Sequence, residues 1–588
     1  MQVLRDFHKR HAFVLSLTVA LMACSDIERP VRVDAKTLAQ AEALLDDTVV
    51  TEASLTPEVT SRLGLEETLI ASAKRRFRDV SQASFERQRL LRLDLATRLG
   101  QTTRLPMDNP LGRDLALTRL ALQDLVVLQA SGKGHISLSQ TRVYTIDPYA
   151  GLWIEGPQTL VRDHVIETAE DAEAYISRMM ELADGLHDTR RRLLADAATG
   201  HLPPVALLRQ TRDEIDRLLA DGALQAILET LETFSISLPD TGSTTQQMRM
   251  DSAERIYQTE LLPAYMELAQ TLSDLENQAP IAPGLWTQPG GVTLYNDLLQ
   301  VWADPASRVD TLWNTLEVAA PHSKNHTTSM TEGDLGDGSA KDRPAADESP
   351  DPADKLLQIE ARLSDASGRS QIRARHRLTV MPITGLNFLA PRYDDKRPAI
   401  IEYDSDLLTQ LPPDLVNAYV SSAYFAATQR YDTAVQAASR RSLIRAYMQD
   451  LSFKQAWLAY GYIINGSDPQ AVEAITQFQT ALATADLGLH AKRWTLDQTE
   501  TFLLRQTEIS EDMAKHITLR LSANPGHAVG VYVHLQRFQS LETRARQILG
   551  ARFDELSFQD ILLFDGPRPL SIVESDVEAW YESLITTD

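Results

Sequence analysis

The chain has 588 residues, with 58 Lys and Arg against 81 Asp and Glu, a formal net charge of −23. So acidic a chain argues against nucleic-acid binding, which needs a basic surface to neutralise phosphates, and against electrostatic docking onto anionic lipid. Hydrophobic residues at 43% and charged residues at 24% exclude wholesale disorder, and a single cysteine excludes an intrachain disulfide framework or a multi-cysteine metal site.

At the amino terminus Arg5, Lys9 and Arg10 give a positive start, followed by an apolar run from Ala12 to Met22. A bilayer-spanning helix needs roughly 20 apolar residues. This run is shorter and has the length of a signal-peptide core. It ends in Leu21-Met22-Ala23-Cys24, which resembles the lipobox of bacterial lipoproteins. The resemblance implies a signal peptide over residues 1–23, cleavage before Cys24 and a thioether from its thiol to diacylglycerol. Several acyl chains, at about 0.8 kcal/mol per buried methylene, would hold the protein stably on a lipid bilayer. Ser25, rather than Asp, after the cysteine points to the outer membrane, facing the periplasm.

From about Leu38 the pattern is helical, and the expected fold class is mainly α, a large multi-helix body. Thr168-Ala169-Glu170-Asp171 reads as a capping box. Ala172, Tyr175, Ile176, Met179, Leu182, Ala183 and Leu186 then form one stripe of a 3.6-residue helix. Pro203-Pro204 opens the next helix, whose buried face carries Leu208, Ile215, Leu218 and Leu219. Residues 24–321 make an amino-terminal helical region, and 322–354 a Ser-, Gly-, Asp- and Pro-rich linker with almost no large apolar residue. His322 and His326 lie in that linker and read as solvated. Residues 355–588 make a carboxyl-terminal helical region, with at most a small β element near 375–404 from strands at Arg375–Val380 and Ala399–Tyr403. Val531, Leu535, Phe538, Leu541, Ala545 and Ile548 mark a late helix that Gly550 is placed to end.

Phosphate-binding loops, the Gly-x-Ser-x-Gly elbow and His-Glu-x-x-His are all missing from the sequence. The carboxyl-terminal half carries another set of motifs. They are Pro283-Gly284-Leu285-Trp286, Asp486-Leu487-Gly488-Leu489-His490, Arg520 with Asn524-Pro525-Gly526-His527-Ala528, Phe558-Gln559-Asp560 and Gly566-Pro567-Arg568-Pro569-Leu570. With Thr56-Pro57-Glu58, Tyr144 to Gly151 and His201-Leu202-Pro203-Pro204 upstream, their order resembles the bacterial family catalogued as domain of unknown function 885. The resemblance spans nearly all of the chain beyond Cys24. It implies a helical, zinc-peptidase-like protein, with His-Glu-x-x-Pro-Gly-His-His on one element and Glu-Gly-Trp-Ala on a later helix. Such a set would hold a divalent metal with an open position beside a glutamate base.

The sequence departs from the family at those positions. Phe425 stands where the first His belongs, Ala426 where the Glu belongs, and Tyr431 and Asp432 where the paired histidines belong. The later motif reads Gln455-Ala456-Trp457, an amide in place of the acid. Phe, Ala and Gln offer a metal no imidazole or anionic donor, so no catalytic residue, metal or cofactor is expected. Asp486 and His490, four apart, would share a helix face and could hydrogen-bond. Arg520 could clamp a carboxylate, and Trp457 and Tyr460 read as core; these five are candidate remnants of a cleft. The leading expectation is a catalytically inactive, membrane-anchored lipoprotein that binds a peptide-like ligand or protein partner. A hydrolase with a site rearranged around Asp432, Asp486, His490 or His527 is one alternative. A structural envelope component, its cleft filled by Phe425 and Tyr431, is another.

Overall fold

The computed structural model describes residues 34–319 and 405–586, apart from 103–104, 237, 239–241 and 449, together with three short strands between 379 and 403. Cys24, the signal segment and the 322–354 linker lie outside the described residues. The fold is mainly α. The early long helices, α1 (Ala35–Leu55), α2 (Gln82–Gln101) and α3 (Pro110–Gln129), start where Asp34, Ser81 and Asn109 accept hydrogen bonds from first-turn amides. α4 (Ala169–Ala198) opens on the expected capping box: Asp171 N donates to Thr168 Oγ1 at 3.1 Å and Thr168 N to Asp171 Oδ2 at 2.9 Å. Its expected stripe from Ala172 to Leu186 is buried. α5 (Val205–Ala220) follows Pro203-Pro204 and packs, with α4, against α6 (Leu262–Leu275). α7 (Gly291–Trp302) and a further helix at Val309–Ala319 follow on that side of the linker.

Beyond the linker come α8 (Ser422–Arg441), α9 (Leu451–Asn465), α10 (Pro469–His490), α11 (Glu511–Ala523), α12 (His527–Leu549) and α13 (Leu570–Thr586). Gly550, at φ +54°, ends α12 as its position suggested, whereas Ile548 from the predicted stripe is exposed. β structure is short. β1 (His135–Ile136) and β2 (Thr141–Arg142) form an antiparallel pair outside the expected region, too brief to show as alternation in sequence. β3 (Thr379–Pro382), β4 (Leu389–Arg392) and β5 (Ile400–Tyr403) form a sheet in the order β3-β5-β4, parallel then antiparallel. The two expected strands correspond to β3 and β5, displaced by a few residues at the first; β4 was not anticipated.

Among the described residues three apolar cores form. One lies within Phe77–Leu275 and another within Leu408–Tyr581. The third is shared: Leu44, Leu122 and Leu298 from before the linker meet Tyr447, Leu487 and Tyr532 from after it. A buried ion network joins the same two segments. Arg113 Nε donates to Asp565 Oδ2 at 2.6 Å and its Nη2 to Asp576 at 2.6 Å, while Arg441 binds Asp114 and the other oxygen of Asp565. Arg445 Nη2 closes the corner on the Asp565 carbonyl at 2.6 Å and the Pro567 carbonyl at 3.0 Å.

Candidate binding cleft

The altered motif positions lie on α8 and α9, which pack closely because Gly461 faces Ala427: a Cβ at 461 would stand 2.6 Å from that of Ala427. Trp457 Nε1 donates to the Ala427 carbonyl at 2.8 Å, tying the two helices together. Phe425 is fully buried and Ala426 is exposed. Tyr431 is buried against Phe453, with ring centres 6.4 Å apart and the Lys454 ammonium 5.4 Å from its ring. Asp432 is half-buried; burial pushes its carboxyl up to about 6, partly offset by Lys454. Tyr460 is buried and donates to Glu542 at 2.9 Å. Gln455 is half-buried. Among the described residues no group of three His, Cys, Asp or Glu is placed to hold a metal ion. The donor set at the motif, aromatic, methyl, amide and one lone carboxylate, does not fit zinc.

Asp486 and His490 share α10 but serve different partners. The Asp486 carboxylate accepts from Tyr295 Oη at 2.8 Å, from Gly526 N at 2.9 Å and from Ala528 N at 3.2 Å. It thereby caps the start of α12, where Gly526 takes φ +84°. Complete burial pushes this carboxyl up to about 7, against the pull of those hydrogen bonds. His490 Nδ1 accepts from Leu285 N at 3.0 Å, so Nε2 carries the hydrogen and donates to the Leu521 carbonyl at 3.0 Å. Every polar atom of this pair is thus engaged in fastening α10 to the segments around it. The family motif at 283–286 is explained by the same contacts: Trp286 Nε1 donates to the Leu489 carbonyl at 3.1 Å. Arg520 is half-buried, close enough to Tyr149, Tyr419, His516 and His527 to shift their protonation.

Sequence reasoning missed the concave part of this region. A cavity of about 200 Å³ opens between α3, the β1–β2 turn, the end of α7, the start of α9, α12 and the Pro567–Ser571 segment. Its walls are mostly apolar, with Leu117, Ala121, Leu125, Met448 and Leu570 among them. Three titratable side chains other than Arg568 reach it, Asp124, Asp450 and His534, beside hydroxyl and amide groups such as Ser139, Thr141 and Gln300. Asp450 Oδ1 caps α9 by accepting from Phe453 N at 2.9 Å, leaving Oδ2 3.9 Å from His534 Nε2. α12 comes this close because residue 530 is glycine. A Cβ there would stand 2.6 Å from Ser452 Oγ and 2.8 Å from the Trp302 carbonyl. Asp450 also acts on the buried Tyr431 phenol, so the cavity adjoins the altered motif. One local signal was available: Asp124 interrupts the apolar stripe Leu117, Ala121, Leu125, Leu128, and His534 interrupts Val531, Leu535, Phe538.

The profile of the family described as "Bacterial protein of unknown function (DUF885)" matches residues 57–313 and 476–577, more than half of the chain. The chain belongs to this family. The interval the DUF885 profile leaves unmatched, 314–475, contains α8 and α9, the helices of the altered motif. Among solved structures, "the putative lipoprotein from Colwellia psychrerythraea" is similar over 93% of this chain and 100% of its own, at 17% identity and a TM-score of 0.75. A "putative lipoprotein of unknown function from Shewanella oneidensis" is similar over 92% of this chain and 99% of its own, at 12% identity and a TM-score of 0.56. Those likenesses establish a shared fold. No curated protein matches. No helix among the described residues is long and apolar enough to cross a membrane.

Proposed function

We propose that this DUF885 member is a lipid-anchored protein of the bacterial envelope that keeps the helical body without hydrolytic chemistry and binds a peptide-like ligand or protein partner. The observation that carries the reading is the donor set on α8 and α9. Phe425, Ala426, Tyr431 and Gln455 leave neither an imidazole pair nor a carboxylate base beside a metal, and water near neutral pH stays a poor nucleophile. For two of its four residues, Asp486 and His490, the rearranged-site alternative meets structural hydrogen bonds, while Asp432 Oδ2 and His527 Nε2 are buried with no hydrogen-bond partner among the described residues and belong to no three-ligand group there. The cavity favours binding over a purely structural role, since apolar walls with a few convergent polar groups are the usual make-up of a ligand site. Anchoring through acylated Cys24 is supported by the lipobox and by the names given to the two structural neighbours, and its placement at the outer membrane, facing the periplasm, by Ser25 after the cysteine.

Elemental analysis of the purified mature protein, combined with a peptide-library cleavage screen, tests the reading. Expected are no stoichiometric zinc and no metal-dependent cleavage. Hydrolysis abolished by a chelator and restored by zinc would overturn it.

A further inference from the structure

We infer that the cavity between α3, α9 and α12 recognises an organic ammonium group carried on an apolar chain, such as the amino end of an apolar peptide, through Asp124, Asp450 and His534. The inference rests on the reading of this cavity as a binding site and adds the chemical class of what it takes.

The titratable acceptors at the cavity are two carboxylates and an imidazole, set among hydroxyls, amides and the Trp302 indole N–H, which has no hydrogen-bond partner among the described residues. His534 Nδ1 lies 2.9 Å from the Gly530 carbonyl. A carbonyl can only accept, so Nδ1 carries a hydrogen and Nε2 is the ring atom turned toward Asp450. That side chain is 2% exposed, and at 3.9 Å from Asp450 Oδ2 its Nε2 has no hydrogen-bond partner among the described residues. Asp124, on the opposite wall, makes no hydrogen bond or ion pair among the described residues. Burial and the nearby Asp450 push its carboxyl up to about 7, the state of two acids with no cation between them.

The cation at the cavity wall is already spent. Arg568 donates through Nε to Asp576 at 2.8 Å and through its Nη atoms to the carbonyls of Leu562, Gly566 and Ile561. An ammonium has three donors and no acceptor, and two carboxylates, Asp124 and Asp450, line the same cavity. The cavity is small and most of its surface is apolar, which suits an aliphatic body behind the charge. A bare divalent ion is the poorer match, since no three-ligand group of metal-holding geometry forms among the described residues.

The test is isothermal titration of the mature full-length protein, as made with its lipid anchor in detergent. The probes are Leu-Leu-amide and its N-acetylated counterpart, which differ by the cationic amine, with acetyl-lysine-methylamide as a side-chain ammonium. The free-amine dipeptide is expected to bind about tenfold or more tighter than the acetylated form. Asp124→Asn and Asp450→Asn should each erase that preference; Asn still caps a helix, so α9 keeps its start. Ala121→Phe, which fills the cavity, should weaken both dipeptides. A stronger response to the lysine derivative than to the dipeptide would place the ammonium on a side chain and keep the proposal. Equal binding of free and acetylated dipeptides, binding unchanged in both Asn variants, or no binding of any probe would overturn it. Zinc-dependent hydrolysis would defeat the non-catalytic reading while leaving the amine preference standing, so the two failures are distinguishable.

Discussion

Replacing Asp565 by Asn probes the joint that holds the two chain segments together and, with it, a wall of the cavity. Asp565 is fully buried, with one oxygen on Arg113 Nε at 2.6 Å and the other on Arg441. Asn keeps the shape, removes the charge and turns an NH2 toward one of two guanidinium groups. Breaking one partner of a buried ion pair costs about 3–5 kcal/mol. Here Arg113 retains Asp576 and Arg441 retains Asp114, which places Asp565→Asn near the lower end, about 3 kcal/mol. Urea unfolding followed by circular dichroism should show a lower midpoint at unchanged slope. Burial, the largest single influence, pushes the Asp565 carboxyl up, but Arg445, Arg113 and Arg441 together hold it below the usual carboxylate range. The native state therefore binds fewer protons than the unfolded chain in acid. The stability from this group is present above the unfolded value of about 3.9 and is lost as pH falls through the lower folded value. The gap between wild type and variant should accordingly close below about pH 4. A midpoint shift worth under about 0.5 kcal/mol at pH 7 would refute the ledger of contacts, because it would mean the network contributes no more than an exposed pair.

Further outcomes follow from the same geometry. Gly530→Ala should drive α12 away from Ser452 and the Trp302 carbonyl, costing about 1–3 kcal/mol in thermal or urea unfolding and disturbing the His534–Asp450 corner; an unchanged midpoint would contradict the packing. Asp486→Asn places an NH2 against the Gly526 or Ala528 amide and should cost about 1–3 kcal/mol, while a variant that folds keeps its cavity ligand binding; loss of binding without loss of stability would make Asp486 a ligand contact instead. Trp457→Phe deletes the Nε1 bond to Ala427 and should cost about 1–3 kcal/mol, read from the same unfolding curves. Cys24→Ser should move the protein out of the membrane fraction, and unchanged fractionation would refute the acyl anchor.

The helices were legible because their signals are local. Thr168 and Asp171 cap one helix in three residues, and Gly550 ends another by a backbone angle few side chains adopt. The pairing of Asp486 with His490 was read from spacing alone, and there sequence misleads. Four residues apart on a helix puts two groups on one face, but their bonding depends on what arrives from elsewhere. The amides of Gly526 and Ala528 and the carbonyl of Leu521 arrive first. The cavity was harder still: residues 124, 302, 450 and 534 meet only after the long helices pack, and no interval of sequence contains two of them as neighbours. Their one trace was polarity inside an apolar stripe, which a helix tolerates only where the buried group has a partner or a space to face.

That tolerance separates binding from a purely structural role. At the altered motif the packing is apolar: Phe425 is fully buried, Tyr431 packs on Phe453, and Trp457 spends its one donor on Ala427. A chain under selection for rigidity alone gains by such replacements, since apolar packing at that depth stabilises where unpaired acids do not. The neighbouring cavity has not been treated in the same way. Asp124 remains uncompensated beside Asp450, and each unit by which burial raises its carboxyl costs the ionised form about 1.4 kcal/mol. Leu or Asn at 124 would remove that cost within the stripe of α3. Its presence beside the altered motif is the pattern expected of a site that a ligand completes.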